Sequence, residues 1–260
     1  MPHFWLMVNG HILKRLILLR DVVVALIAKI RLIILSLVIR EKSKKCSFAL
    51  NNIDINLAKC LNVRHGFFIE AGANDGVTQS NTLYFEKYKK WRGLLIEPIP
   101  ELAEKCKVNR PNCIVENCAL VSSDYDKETI EIRYANLMSV VKGGLKDANE
   151  ENIHIAKGLE IQDIPATYTV TVPARTLSSI LDQYNIKNVD LLSLDVEGYE
   201  LEALKGIDFN KSGPKYMLIE ARYVDEIESF IGNIYEKIAN LSHHDILYKL
   251  KPSFRKNTRL

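Results

Sequence analysis

Short apolar runs in this chain repeatedly stop on an acidic residue and give way to helix-like text. GFFIEA reaches Glu70, RGLLIEP reaches Glu97, VDLLSLDVEG reaches Asp195 and KYMLIEAR reaches Glu220. Such runs suit strands buried on both faces. Between them lie helix-like stretches: roughly Ser80 to Lys90, PELAEKCKVN from Pro100, ARTLSSILDQYNI and YELEALKGI. These supply the crossovers that parallel strands require. Pro100 opens one helix, Thr176 caps another and Gly206 stops a third. CIVENCALV reads as a further strand, Glu226 to Asn240 as a further helix, and DILYKL as the last strand. The expected fold class is α/β, with a mostly parallel sheet covered on both sides.

Ligands of open α/β sheets bind beyond the carboxyl ends of the strands, where these acids fall. After Glu70 the text turns to Gly-Ala-Asn-Asp-Gly, and Gly72 and Gly76 bracket a turn that brings bare backbone up to a ligand. Asn74 and Asp75 also suit a plain turn. The spacing is neither GxGxxG nor a phosphate loop, and an acid at Glu70 repels a pyrophosphate. A cationic ligand fits better. S-adenosylmethionine carries a sulfonium and an ammonium; Glu70 would orient its methionyl end, and turn amides at Gly72 and Ala73 would meet its carboxylate. Glu97 would accept from both ribose hydroxyls.

The rest of the chain bounds the reading. A net charge of +3 is too mild to argue for nucleic acid. The odd cysteine count, without a CxxC pair, argues against a disulfide framework or zinc site, and His243 and His244 have no third ligand, so no metal is expected. Residues 12–39 are apolar but broken by Lys14, Arg15, Arg20, Asp21, Lys29 and Arg31. No run reaches the roughly 18–20 apolar residues of a simple span. An imperfect amphipathic helix or helix pair fits, lying on a membrane surface, on the protein's own domain or in an oligomer contact, with a spanning segment whose charged ends snorkel as the remaining reading. The expected division is a helical extension over 1–49, a ligand-binding domain over 50–250 and a basic tail over 251–260. A polar excursion, about 122–171, would recognise the substrate, with Tyr134, Met138 and Tyr168 as candidate lining. The expected location is cytoplasmic, with membrane association through 12–39 and oligomeric state left open.

FFIEAGANDG, GLLIEPIPE, ENCAL, ARTLSSIL, VDLLSLDVEGYELEALKG and YMLIE, in that order, resemble the FkbM family of S-adenosylmethionine-dependent methyltransferases. The resemblance implies a class I, Rossmann-like methyltransferase fold with a seven-stranded sheet. It also implies methyl transfer to a hydroxyl of a sugar, glycan or small-molecule acceptor. It places cofactor binding on Glu70, Gly72, Asn74, Asp75, Gly76, Glu97 and Pro98. A Lys-x-Asp-Val-Glu-Gly segment of the family falls on Ser193 to Gly198, with Ser193 in place of the lysine.

An alcohol acceptor must lose its proton, and a carboxylate near the methyl group would take it. Asp195 is the first candidate; Glu197 would serve there, tie the loop or hold substrate. His154 reads as a solvated loop residue, with a role as the base its other reading. Two other readings stand beside this one: a nicotinamide-dependent oxidoreductase, and a non-catalytic membrane-associated or partner-binding module that keeps the fold.

Overall fold

The computed structural model describes Lys29, residues 46–61 and residues 63–257. The expected extension over 1–49 and the surface contact through 12–39 therefore lie almost wholly outside the described residues. No helix among the described residues is long and apolar enough to cross a membrane.

The described body opens with a helix, α1 (Ile53–Cys60), and the first strand, β1 (Phe67–Ala71). Then follow α2 (Leu83–Lys89), β2 (Arg92–Ile96), α3 (Pro100–Asn109), β3 (Ile114–Glu116) and β4 (Ala119–Leu120). The excursion holds β5 (Thr129–Arg133), β6 (Val140–Val141), α4 (Ala148–Ile161) and the start of β7 (Thr169–Arg175). The chain continues through α5 (Leu177–Gln183), β8 (Leu191–Leu194), α6 (Glu200–Lys205), α7 (Phe209–Ser212) and β9 (Tyr216–Glu220). It closes with α8 (Val224–Ile231), β10 (Tyr235–Asn240), β11 (Asp245–Leu250) and α9 (Pro252–Asn257).

Seven strands form one mixed sheet in the order β10-β11-β9-β8-β1-β2-β3. β9, β8, β1, β2 and β3 run parallel, while β11 is antiparallel to both its neighbours. Side chains alternate between two cores. Ile69, Leu94, Ile96, Leu192, Met217 and Ile219 pack on one face. Phe68, Leu95, Leu191, Leu218 and Leu247 pack on the other, with Ile53, Leu57 and Phe85. A strand's period of two fixes what comes next on that second face. Two residues beyond Phe68, Leu95, Leu191 and Leu218 stand Glu70, Glu97, Ser193 and Glu220. Asp245 on β11 is the register partner of Glu220. One face of the sheet's carboxyl edge is thus polar by construction.

Two readings of the sequence are corrected. CIVENCALV is not one strand: β3 belongs to the main sheet and β4 to a second, four-stranded sheet, β4-β7-β5-β6, built largely from the excursion. The helix expected from Glu226 to Asn240 ends at Ile231, and Tyr235–Asn240 is the edge strand β10. The expected caps are present. Pro100 sits at the start of α3, the Thr176 hydroxyl accepts from Ser179 N at 3.1 Å, and Gly206 is the C-cap of α6.

The loop after β1 is wrapped around one side chain. Arg110, at the end of α3, is fully buried. It donates to Gly76 O at 2.9 Å, to Ser80 Oγ and Thr82 Oγ1 at 3.3 Å, and to the Glu86 carboxylate. It also lies 3.6 Å from Glu70. Glu70 in turn accepts from Ser80 Oγ, Asn81 N and Thr82 Oγ1 at 2.9, 2.7 and 2.7 Å. At the sheet itself Gly72 has φ +81°, and a Cβ there would stand 1.8 Å from the Asp195 carbonyl oxygen. No side chain fits between these two strand exits.

Replacing Arg110 by Met should leave Glu70 and Glu86 as uncompensated buried charge and cost about 3–5 kcal/mol in urea unfolding. A loss below about 1 kcal/mol would show that the network is not what holds the loop. Gly72→Ala should lower the melting temperature through backbone strain of about 1–3 kcal/mol plus the clash with Asp195. An unchanged melting curve would overturn that reading.

Candidate active site

Two adjoining hollows open at the carboxyl edge of the main sheet. The smaller, about 70 Å³, has mostly apolar walls that include Ile96, Cys118, Leu120, Ile132 and Val141, with Glu97 and Pro98 at one side. The larger, about 330 Å³, is polar and is lined by Asn81, Gln162, Ser193, Glu220, His244 and Asp245 among others. Ala71, Gly72, Asn74, Leu137, Asp195 and Glu197 line both and form the shared wall.

Glu97 is buried beside the apolar hollow. Its two carboxylate oxygens accept from Asn74 N at 2.8 Å and Ile99 N at 2.9 Å, tying the first loop to the start of α3. Burial pushes its pKa up to about 7, against the lowering effect of the Ile99 and Asn74 amides. Each oxygen keeps a lone pair for a further donor. Asn117 Nδ2 donates to Glu97 O and Pro98 O at 2.9 and 2.8 Å, holding that edge in place. Asn74 Nδ2 donates to Asn136 Oδ1 at 2.9 Å, joining the first loop to the excursion.

The other expected loop residues have different tasks. The Glu70 carboxylate serves the 80–82 turn and Arg110 before anything in the hollow. The sequence-based argument from repulsion is weakened accordingly, because Arg110 compensates its charge. Asp75 and Gly76 line neither hollow. Asp75 accepts from Val77 N at 2.8 Å and Thr78 N at 2.7 Å. Burial raises its pKa, but the bonds from Thr78 and Val77 outweigh that and hold it below the usual carboxylate range. Gly76 makes room for Arg110: a Cβ there would lie 3.0 Å from Arg110 Cγ.

Asp195 and Glu197 follow β8 in a turn stabilised by Glu200. Glu200 Oε1 accepts from Gly198 N at 2.8 Å and Val196 N at 3.3 Å. Burial raises the Asp195 pKa well above the carboxylate range, helped by Glu220 and Glu197. Burial and then Glu220 push Glu197 up to about 8, opposed by Arg222. Glu197 has φ +55°, a strained conformation for a residue with a side chain. Ser193, which stands at the position of the family's lysine, is buried and accepts from Asn81 Nδ2 at 3.2 Å.

The excursion also departs from expectation. His154 is not a solvated loop residue: it sits on α4, 6 % exposed, and its Nε2 is 3.3 Å from Glu197 Oε2. Met138 lines the polar hollow, whereas Tyr134 and Tyr168 stack on each other at 4.6 Å and line neither. Arg110, Asn136, Glu200 and Arg222 are not singled out in the sequence, and His154 is weighed there as a base beside the reading as a solvated loop residue. Arg110, Asn136 and Arg222 are revealed by partners far along the chain, Glu200 by the amides of the turn just before it.

The residues fit S-adenosylmethionine. Apolar walls beside a carboxyl with lone pairs to spare suit a nucleoside, and the oxygens of Asp195 and Glu197 at the shared wall offer acceptors to an ammonium.

A family model described as the methyltransferase FkbM domain matches residues 70–250. Methyltransferase 1 of Beauveria bassiana is 29 % identical over 173 residues, covering 60 % of this chain and 65 % of that protein. The chain thus spans 65 % of the length of that curated relative. A TehB-like S-adenosylmethionine-dependent methyltransferase from Corynebacterium glutamicum is similar over 76 % of this chain and 88 % of its own, at 11 % identity and a TM-score of 0.39. The FkbM match runs through the strands, the glycine turn and both hollows, and the chain belongs to the FkbM family of S-adenosylmethionine-dependent methyltransferases.

Proposed function

We propose that this protein transfers the methyl group of S-adenosylmethionine to a hydroxyl oxygen of a sugar, glycan or small-molecule acceptor. The observation that carries the proposal is the shared wall. An apolar hollow with a ribose-accepting carboxylate meets a polar hollow across Gly72, Asp195 and Glu197. The first suits the nucleoside of the cofactor. The second, with its amides, hydroxyls and carboxyls, suits an acceptor rich in hydroxyl groups.

The cofactor supplies an activated methyl group, and the chain's part is alignment and proton handling. In this reading Gly72, Asn74, Glu97 and Pro98 hold it, while Glu70, Asp75 and Gly76 shape the loop. Asn81, Gln162 and Ser193 offer donors and acceptors to the acceptor's other hydroxyls. Asp195 and Glu197 are the carboxyl groups at the junction, within reach of a proton leaving the attacking oxygen. Residues 50–250 are the catalytic domain in this proposal and 122–171 its acceptor-side excursion. The membrane-surface role of residues 12–39 stands as a separate proposal, resting on their apolar and basic sequence alone.

Binding should depend on pH through Glu97. Its burial-raised value of about 7 means that it gains a proton as pH falls through neutrality. The protonated form accepts fewer hydrogen bonds from a ribose diol, so affinity should fall below pH 7 and level off above pH 8. Calorimetric titration of S-adenosylmethionine between pH 5.5 and 8.5 measures this. Glu97→Gln should bind about tenfold or more weaker at pH 8 and lose the pH dependence. Folded wild-type protein that binds no S-adenosylmethionine at any pH would overturn the proposed function.

A further inference from the structure

His154 is held from three sides. Arg222 Nη2 lies 2.8 Å from Nδ1. A guanidinium has only donors, so Nδ1 must accept and the ring proton must sit on Nε2. On that side Met138 O, at 3.2 Å, accepts the ring proton, and Glu197 Oε2 stands beside the same nitrogen at 3.3 Å. Arg222 is anchored in its own right by Glu150, at 3.1 Å, and also approaches Glu197 at 3.8 Å. The backbone of the turn that carries Glu197 is tied by Glu200, which leaves its side chain to be placed by its neighbours.

We infer that His154 is a positioning residue, clamped by Arg222 at Nδ1 and by Met138 O at Nε2, whose ring edge keeps Glu197 aimed at the shared wall as the group that receives the acceptor's proton. The inference rests on the methyl-transfer reading and deepens it. In the step it serves, the acceptor oxygen bonds to the methyl carbon as the carbon–sulfur bond breaks. The bond's electrons stay on sulfur, and the hydroxyl proton passes to Glu197.

The surroundings distinguish Glu197 from its neighbour. Burial and the neighbouring carboxyls of Glu220 and Glu197 raise the Asp195 pKa. Glu197 instead faces one N–H donor and one guanidinium. The titratable and charged groups around the pair are Glu150 and Lys157 on α4, Asp195, Glu197 and Glu200 after β8, and Glu220, Arg222 and Tyr223 at the end of β9. His244 precedes β11 and lines the larger hollow together with Glu197. Burial and then Arg222 lower the His154 pKa, so the ring stays neutral and keeps its single donor. His154 touches neither hollow's space in the way Glu197 does, and so acts through it.

Nuclear magnetic resonance on the full chain tests this without any acceptor. In ¹⁵N-histidine-labelled protein, His154 should show the Nε2–H tautomer and remain neutral at pH 6.5. An Nδ1–H tautomer, or a cationic ring at that pH, would overturn the clamp. Carboxyl ¹³C titration should place Glu197 about one pH unit or more higher in His154→Leu than in wild type, since the charged form loses its donor. His154→Gln, which restores an N–H, should return most of that shift. A Glu197 midpoint unmoved in folded His154→Leu would refute the positioning role. Calorimetry with S-adenosylmethionine, unchanged in both variants, separates this outcome from the larger one. If wild-type protein binds the cofactor but Glu197 does not respond, the positioning role fails alone. If it binds none, methyl transfer fails and the proton-accepting role falls with it, whatever Glu197 does.

Discussion

The buried guanidinium of Arg110 is the contact on which the ligand side depends. It reaches the backbone of Gly76, the hydroxyls of Ser80 and Thr82, and the carboxylates of Glu70 and Glu86. A buried arginine is costly to desolvate, and here almost every donor has a partner. With the loop after β1 fixed in this way, Asn74 N lies where Glu97 can accept from it and Asn74 Nδ2 where it meets Asn136. Two strand exits and the excursion are thereby joined through one residue, Asn74.

The carboxyl edge uses one residue type for several jobs, and surroundings decide which. Glu70, Glu97 and Glu200 each accept from backbone amides of a loop and set its path. Asp195 stands among other carboxyls, while Glu197 faces a histidine and an arginine. Burial raises the pKa of all four of Glu97, Asp195, Glu197 and Glu200; backbone amides offset it at Glu97 and Glu200 and Arg222 at Glu197, whereas the neighbours of Asp195 add to it. The chemistry at the shared wall is set by these neighbours and not by the count of acids.

Much of the main sheet was legible because its signals are local. FFIEA and RGLLI are buried on both faces and read as strands without help from the rest of the chain. Gly72 and Glu97 were legible for the same reason: a turn glycine and a strand-end acid announce themselves within a few residues. β10 was not, because YEKIAN is an edge strand with mostly exposed side chains and lacks the apolar signature of its neighbours. Arg110 and His154 were hidden by distance along the chain. Arg110 looks like a helix-end surface charge until its partners, 24 to 40 residues earlier, are placed around it. His154 meets Arg222 68 residues away. Asp75 makes an Asx turn with Val77 and Thr78, and such a turn and a ligand contact look alike in sequence.

α4 has a small core of its own. Ala135, Val140, Leu145 and Ile155 form a cluster with Met138 and Leu159, apart from the clusters that pack the main sheet. Beyond that cluster, α4 is joined to the β8 and β9 exits by the polar contacts of Glu150 and His154. Proteins open in cooperative pieces, and a piece with a satellite core and a polar seam opens at less cost than the main sheet. The environment of Glu197 is therefore conditional. When α4 lifts, its carboxylate loses the histidine donor while the turn held by Glu200 stays in place. α4 contributes no residue to the wall between the hollows and bears on it only through the contact of His154 with Glu197.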